Sequence, residues 1–303
     1  MRIAHISDLH VLDLAGVPPW RFLNKRLTGW ANLKLKRNHT HRSGYVRTIA
    51  QEIRAFGADH VIITGDLTNL ALETEFAAVR QILEEDLGFD PRDVSIIPGN
   101  HDVYTGGASR DGRIGAYFAD YMRSDADLGA ELGADLELGF FPFVRVRGPL
   151  VLIGLSSAVP RLPFVAAGTI GDAQRAALDR ILKLGALRDK KPVFFAHHPL
   201  HNPASRVKTV LEGLHDAREL GPLMGAGLFL HGHLHKRMDR SLTTEAGVIR
   251  AFGATSASLH HDDPAKMAGF NVYEFDETGG LARGYARVLG PAGVFTEAAI
   301  PEA

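Results

Sequence analysis

Apolar and polar positions run along this chain in two rhythms. Short β-branched or aliphatic runs at Arg2–Ser7, His60–Thr64, Val94–Ile97, Leu150–Leu155, Val193–Ala196 and Leu228–Leu230 end at Gly, Pro, Ser or His, and predict buried strands. Between them lie helical patterns. Tyr45–Phe56 sets Val46, Ile49, Ile53 and Phe56 on one face, and Thr74–Leu87 does the same with Phe76, Val79, Ile82 and Leu83. Asp172 has the position of an N-cap for a helix carrying Ala176, Leu178, Ile181 and Leu182. Strands alternating with helices predict a layered α/β domain. Near the end the rhythm changes. Val248–Phe252, Asn271–Phe275 and Arg283–Val288 predict strands, with Glu277-Thr278-Gly279-Gly280 as a hairpin turn. With no internal repeat and no low-complexity linker, the expectation is one domain over residues 1–303.

One segment, about 14–47, breaks the pattern. Between Leu14 and Gln51 there is no Asp or Glu, while Arg21, Lys25, Arg26, Lys34, Lys36, Arg37, Arg42 and Arg47 fall in it, with both tryptophans, Trp20 and Trp30. Trp20, Phe22, Leu23, Leu27 and Trp30 can share one helical side. It is longer than an ordinary strand–helix connection. Three readings stay open: a lid over an anionic substrate, a patch resting on anionic lipid, or a subdomain whose tryptophans pack on the core.

Composition narrows the class. The apolar fraction is 45 % and the charged fraction 23 %, both ordinary for a globular protein, and the net charge of −1 offers no global field for nucleic acid. Cysteine is absent, which excludes disulfides and thiolate metal sites. Residues 1–7 read as a strand rather than a signal peptide, and no apolar run approaches the roughly 20 residues a membrane span needs. The expectation is a soluble, cytoplasmic protein, peripheral to the membrane if 14–47 is a lipid patch.

Five short clusters carry the chemistry, each at or just past a predicted strand: Asp8-Leu9-His10, Gly65-Asp66, Gly99-Asn100-His101-Asp102, His197-His198-Pro199 and Gly232-His233-Leu234-His235. Ligand sites in layered α/β proteins lie beyond the carboxyl ends of strands. Asp-x-His and His-x-His put two side chains on one side of an extended segment. Imidazole, carboxylate and amide oxygen together suit zinc, iron or manganese. The glycines let the backbone turn or approach closely before each ligand.

In this order the clusters resemble the calcineurin-like metallophosphoesterase superfamily, whose pattern is Asp-x-His, Gly-Asp, Gly-Asn-His-Asp or -Glu, a His, then Gly-His-x-His. The resemblance runs from residue 8 to residue 235. It implies two packed β-sheets flanked by helices, a four-layer αββα sandwich. It also implies two metal ions (manganese, iron or zinc): Asp8, His10 and His235 on the first, Asn100, His197 and His233 on the second, and Asp66 between them. His197 is preferred to His198 because the family ligand usually sits two residues before proline. His101 would donate to the leaving oxygen or stabilise the transition state. Asp102 is expected to orient a neighbouring histidine, and His231 to be a supporting or strand-end histidine. His260-His261-Asp262-Asp263 looks like a metal cluster by composition, but its flanks predict an exposed loop.

The implied chemistry is attack on phosphorus by a hydroxide bridging two cations roughly 3.5–4 Å apart. No protein nucleophile is needed. The motifs specify the chemistry at phosphorus and leave its substituents open. The compact Asp-Leu-His opening and the chain length resemble the bacterial branch with cyclic-nucleotide and glycerophosphodiester phosphodiesterases, so a small phosphodiester is expected. Hydrolysis of a nucleotide-linked lipid diphosphate (UDP-diacylglucosamine type) is the alternative. Phosphomonoesters and nucleic acid rank lower, and a non-catalytic scaffold is the remote third class, because every ligand position is intact. Oligomeric state is left open.

Overall fold

The computed structural model describes residues 1–22, 41–103, 112–125, 128, 141–162, 164–202 and 205–303. In chain order its strands are β1 (Arg2–Ile6), β2 (His60–Ile63), β3 (Val94–Ile96), β4 (Phe143–Arg147), β5 (Leu150–Gly154), β6 (Lys191–Phe195), β7 (Gly227–His231), β8 (Met238–Thr244), β9 (Gly247–Gly253), β10 (Gly269–Phe275), β11 (Leu281–Leu289) and β12 (Phe295–Ala299). They form two mixed six-stranded sheets, ordered β12-β11-β10-β1-β2-β3 and β4-β5-β6-β7-β9-β8. Helices flank them, giving the α/β sandwich that the resemblance of the sequence implies.

The period-two alternation of strand side chains builds the layers. Leu150, Leu152, Val193, Phe195 and Leu230 pack with residues of the first sheet, including Ile3, Val61 and Val272, in one core. Their sequence neighbours Val151, Ile153, Phe194 and Phe229 point the other way, onto Leu178, Ile181, Leu220 and Met224 of the helices Asp172–Leu182 and Ala217–Met224. Strands buried on both faces must be apolar at nearly every position, and these are. On the first sheet, the helix Ser43–Phe56 buries Val46, Ile49 and Ile53. Phe76 and Val79 come from the helix Glu73–Gln81, which continues to Leu87 as a wider π turn burying Ile82 and Leu83.

Three local expectations need correction. Asp172 is not an N-cap: Gly171 holds that position and Asp172 is the first helical residue, its carboxylate paired with Arg175. The inward face of that helix is Ala177, Leu178 and Ile181, and Ala176 is exposed. Strands β4, β8 and β12 have no counterpart in the sequence reading.

The basic segment is described only at its two ends. Trp20 is 68 % exposed on a 3-10 turn, Pro19–Phe22. Arg21 pairs with Glu73 at 2.6 Å and Arg47 with Asp86 at 2.6 Å. The expected positions of Leu23, Lys25, Arg26, Leu27, Trp30, Lys34, Lys36 and Arg37 lie outside the described residues. No helix among the described residues is long and apolar enough to cross a membrane.

Candidate metal centre

Parallel pairing of β1 with β2 and β2 with β3, and of β6 with β7, brings the carboxyl ends of these strands to one edge of the sandwich. The loops that follow are stitched together by backbone bonds. Asp8 N–H donates to Gly65 O at 2.9 Å, His10 N–H to Asp66 O at 3.0 Å, and Gly232 N–H to His197 O at 3.1 Å. Among the contacts that bridge the sheets, His197 Nδ1–H donates to Thr64 O at 2.7 Å, and His233 N–H to Asp8 Oδ2 at 3.1 Å.

The side chains converge by a different route from strand alternation. β1 ends at Ile6, and Asp8 and His10 then have φ of 53° and 46°. Asp66 has φ 51°, His233 67° and His235 51°. A left-handed backbone costs an L-residue roughly 1–2 kcal/mol, so five such residues at one place mark a geometry imposed by the surroundings. Two glycines make the close approach possible. A Cβ on Gly99 would lie 2.2 Å from Asp66 Oδ1, and one on Gly232 would lie 1.9 Å from Ser7 Oγ and 2.5 Å from Asp8 Oδ2.

Asp8 Oδ1 lies 3.1 Å from His235 Nε2, which is itself 3.1 Å from His10 Nε2. Asp66 Oδ2 lies 3.9 Å from His10 Nε2 and 3.4 Å from His197 Nε2, and His197 Nε2 is 3.1 Å from Asn100 Oδ1. Three donor groups can each hold an ion: Asp8, His10 and His235; His10, Asp66 and His101; Asp8, Asp66 and His197. Asp66 and Asp8 each belong to two of them. The ring of His233 stands 5.2 Å from that of His197. Its Nε2–H donates to Glu212 O at 2.9 Å, so Nδ1 is its remaining nitrogen.

The electrostatics fit a cation. Asp8 and Asp66 are buried side by side. Burial and mutual repulsion should raise their pKa values. Burial is the largest influence on Asp66, yet His197, His101 and His10 outweigh it and hold the carboxyl well below its usual range. Asp8 is lowered in the same way, chiefly by His235 against its burial. Burial opposes a charge on His197, but Asp66 and Asp8 raise its pKa to about 9. A positive charge is thus favoured at His197 beside two buried carboxylates, and a metal ion would supply such a charge. His10 Nε2 and His235 Nε2 lie 3.1 Å apart beside Asp8 Oδ1, close enough to share one ion. The donor set fits metal ions.

The remaining expected residues separate by their partners. His198 is engaged at both nitrogens: Nδ1 accepts from Ser157 Oγ at 2.8 Å and Nε2–H donates to Ala166 O at 2.6 Å. His101 donates through Nδ1–H to Asn69 O at 2.7 Å, and its backbone N–H donates to Asp66 Oδ1 at 2.7 Å. Its ring lies 4.9 Å from that of His10. Among the described residues Asp102 orients backbone amides rather than a histidine. Its carboxylate accepts from the backbone N–H groups of Leu67, Thr68 and Gly99 at 2.9–3.1 Å and from Thr68 Oγ1, locking the loops after β2 and β3 together. Burial, with the Asp66 charge, raises its pKa to about 7. His231 is fully buried, its Nδ1–H donating to Gly232 O at 3.0 Å. His260, His261, Asp262 and Asp263 are exposed.

Sequence reasoning missed one neighbour of the centre, His41. Its ring lies 5.2 Å from that of His10 and 5.7 Å from that of His235. No motif marks it, and only the fold brings it there.

Two sheets closing over a cluster of carboxylates and histidines define a metal-dependent hydrolase. The sequence matches the calcineurin-like phosphoesterase family over residues 1–237, and the chain belongs to that family. Its members carry out metal-dependent phosphoester hydrolysis. Among solved structures, a purple acid phosphatase from yellow lupin (Lupinus luteus) seeds superposes with a TM-score of 0.57 at 13 % identity, covering 100 % of this chain and 54 % of that one. This chain therefore spans about half of the lupin protein, and the likeness concerns the fold alone. The TT1561 protein of Thermus thermophilus aligns over 99 % of this chain and 98 % of its own, at 12 % identity and a TM-score of 0.46. No curated protein sequence matches significantly.

Proposed function

We propose that this chain is a phosphodiesterase working with two metal ions, manganese, iron or zinc. Asp8, His10 and His235 would hold one, Asn100, His197 and His233 the other, and Asp66 would serve both. The observation that carries this reading is the pair of buried carboxylates, Asp8 and Asp66, ringed by imidazoles from both sheets. When bound, such ions supply a hydroxide nucleophile near neutral pH and neutralise charge on phosphoryl oxygens.

The chain's own residues do the rest. Thr64 O and Glu212 O fix the rings of His197 and His233 by accepting a hydrogen bond from His197 Nδ1–H and His233 Nε2–H. Asp102 holds the loops that carry Asp66 and Asn100 in register. His101, its Nδ1–H committed to Asn69 O, exchanges protons through Nε2. It serves as donor to the leaving oxygen.

A phosphodiester is favoured on the resemblance of the Asp8-Leu9-His10 opening to the bacterial phosphodiesterase branch. A nucleotide-linked lipid diphosphate is the second reading, supported by the exposed Trp20 of the basic segment. With it would go peripheral membrane contact through the 14–47 segment. Arg21 is poorly placed to serve as a lid charge, because Glu73 already holds it.

Purified protein should hold two equivalents of metal per chain by elemental analysis and hydrolyse bis(p-nitrophenyl) phosphate faster than p-nitrophenyl phosphate. A protein that binds no metal and cleaves neither ester would refute the assignment. Salt-sensitive binding to anionic vesicles, weakened by Trp20→Ala, would shift the substrate toward the lipid reading.

A further inference from the structure

A surface helix ordinarily turns its apolar stripe to the core. The helix Asp172–Leu182 does so with Ala177, Leu178 and Ile181. The helix Arg206–Glu212 does the reverse. None of its residues is buried, and Val207 and Val210 are 68 % and 59 % exposed. Val207, Val210 and Leu211 stand at the three- and four-residue spacing of one helical face, and that face looks outward. With roughly 100° between successive residues, Arg206 and Lys208 fall on either side of it. Both cations are exposed, and Glu212 is the one acid of the helix.

Two more exposed apolar residues stand on a neighbouring segment. Leu162 and Phe164 are 77 % and 84 % exposed. Phe164 has φ 67°, a left-handed backbone that is costly for a bulky L-residue. The chain just beyond it is tied to the end of the helix. Ala166 N–H donates to Leu211 O at 2.7 Å, and Gly168 N–H to Gly213 O at 3.0 Å. Both segments hang on the metal centre. Ala166 O accepts from His198 Nε2–H at 2.6 Å, and Glu212 O from His233 Nε2–H at 2.9 Å. Five exposed apolar side chains therefore sit on two joined segments whose carbonyls hold histidines of the centre.

We propose that Leu162, Phe164, Val207, Val210 and Leu211 form a bilayer-contacting patch, flanked by Arg206 and Lys208, that seats the metal centre against an anionic lipid surface. Side chains this exposed project from the protein instead of lining a groove. Apolar projections between cations match the layering of such a bilayer, whose anionic headgroups cover its chains. The contact is separate from the basic segment and from the choice of phosphoester.

Cosedimentation of the metal-loaded protein with vesicles tests it, using phosphatidylcholine alone or mixed with phosphatidylglycerol. The protein should bind the anionic vesicles, less as salt rises, and not the neutral ones. Phe164→Asn removes the ring and supplies a residue that accepts the left-handed backbone. Val207→Ser together with Val210→Ser clears the helix face. Each of these variants should weaken binding about tenfold. Arg206→Gln and Lys208→Gln should each weaken it about fivefold and flatten the salt dependence. Phe164→Trp should bind at least as well as the wild type. Melting temperature, metal content and turnover of bis(p-nitrophenyl) phosphate should stay at wild-type values in Phe164→Asn. Vesicle binding that the Phe164 and helix variants leave unchanged would place the contact elsewhere, Trp20 included, and overturn the proposal. A wild type that binds neither vesicle would overturn it as well. So would a wild type that is dimeric in solution and becomes monomeric in these variants, because the patch would then join two copies of the chain. A protein that binds vesicles through the patch yet cleaves no ester would uphold this inference while the phosphoesterase reading failed.

Discussion

Two stretches of this chain are built from the same residue types and meet opposite fates. His233 and His235 join Asp8 and Asp66 in a buried centre, whereas His260, His261, Asp262 and Asp263 lie exposed on a loop. In the loop His261 and Asp263 serve local turns, Asp263 N–H donating to His261 Nδ1 at 2.9 Å and Ala265 N–H to Asp263 Oδ1 at 2.9 Å, and the one distant tie, Tyr45 Oη to His260 Nδ1 at 3.1 Å, is a single exposed bond. In the centre the partners come from as far as 225 residues away. Composition does not make a metal site. Convergence does, with burial that leaves carboxylates needing a counter-charge water cannot provide.

The largest expected effect tests that counter-charge. Asp66→Ala removes the carboxylate lying between the two sets of donors. It should lose at least one metal equivalent and about 10³-fold in turnover while remaining folded. A folded variant with full metal content and near-normal rate would break the two-metal assignment. Next comes His101→Ala, which keeps every proposed ligand. It should slow an alkyl phosphodiester by about 10²-fold and a p-nitrophenyl ester much less, because that leaving oxygen needs little protonation. Equal losses on both esters would point to a purely electrostatic or structural role.

Burial also sets how imidazoles respond to acid. His5 lies inside the first sheet, bonded to Tyr273 Oη and Thr64 Oγ1, and burial pushes its pKa down to about 3. In the unfolded chain it titrates near 6.5. Between those values the unfolded chain takes up a proton that the folded one refuses. Stability is therefore complete above about pH 6.5 and falls as pH drops toward 3, by about 1.4 kcal/mol per unit for this group. The melting temperature should decline from pH 7 to pH 5, and His5→Asn should decline less steeply, whatever its absolute stability. Parallel slopes would show that His5 is not a proton-excluding group. The smallest effect belongs to the exposed loop: His261→Ala and Asp262→Ala should leave metal content unchanged and alter stability by no more than about 0.5 kcal/mol. Metal loss there would collapse the contrast between the two clusters.

The strands legible in the sequence are mostly interior strands, and those that escaped notice, β4, β8 and β12, are all sheet edges. An interior strand is covered on both faces and writes a continuous apolar run. An edge strand does not. In β4, Phe143–Arg147, the inward position 145 holds an arginine only 2 % exposed. Its guanidinium is satisfied by the carbonyls of Pro91, Arg92, Val94, Asp120 and Arg123, which no local pattern announces.

By itself the sequence determined the strand–helix alternation, the five clusters and their order, because hydrophobic period and motif spacing are local properties. Tertiary structure decided the rest. It replaced strand alternation with left-handed turns as the means of convergence. It turned Asp102 onto backbone amides and His198 away onto Ser157 and Ala166. It also brought His41 beside His10 from outside every motif. A side chain's partner depends on which loops the sheets juxtapose, and that follows from packing between segments far apart in the chain, where sequence spacing carries no distance.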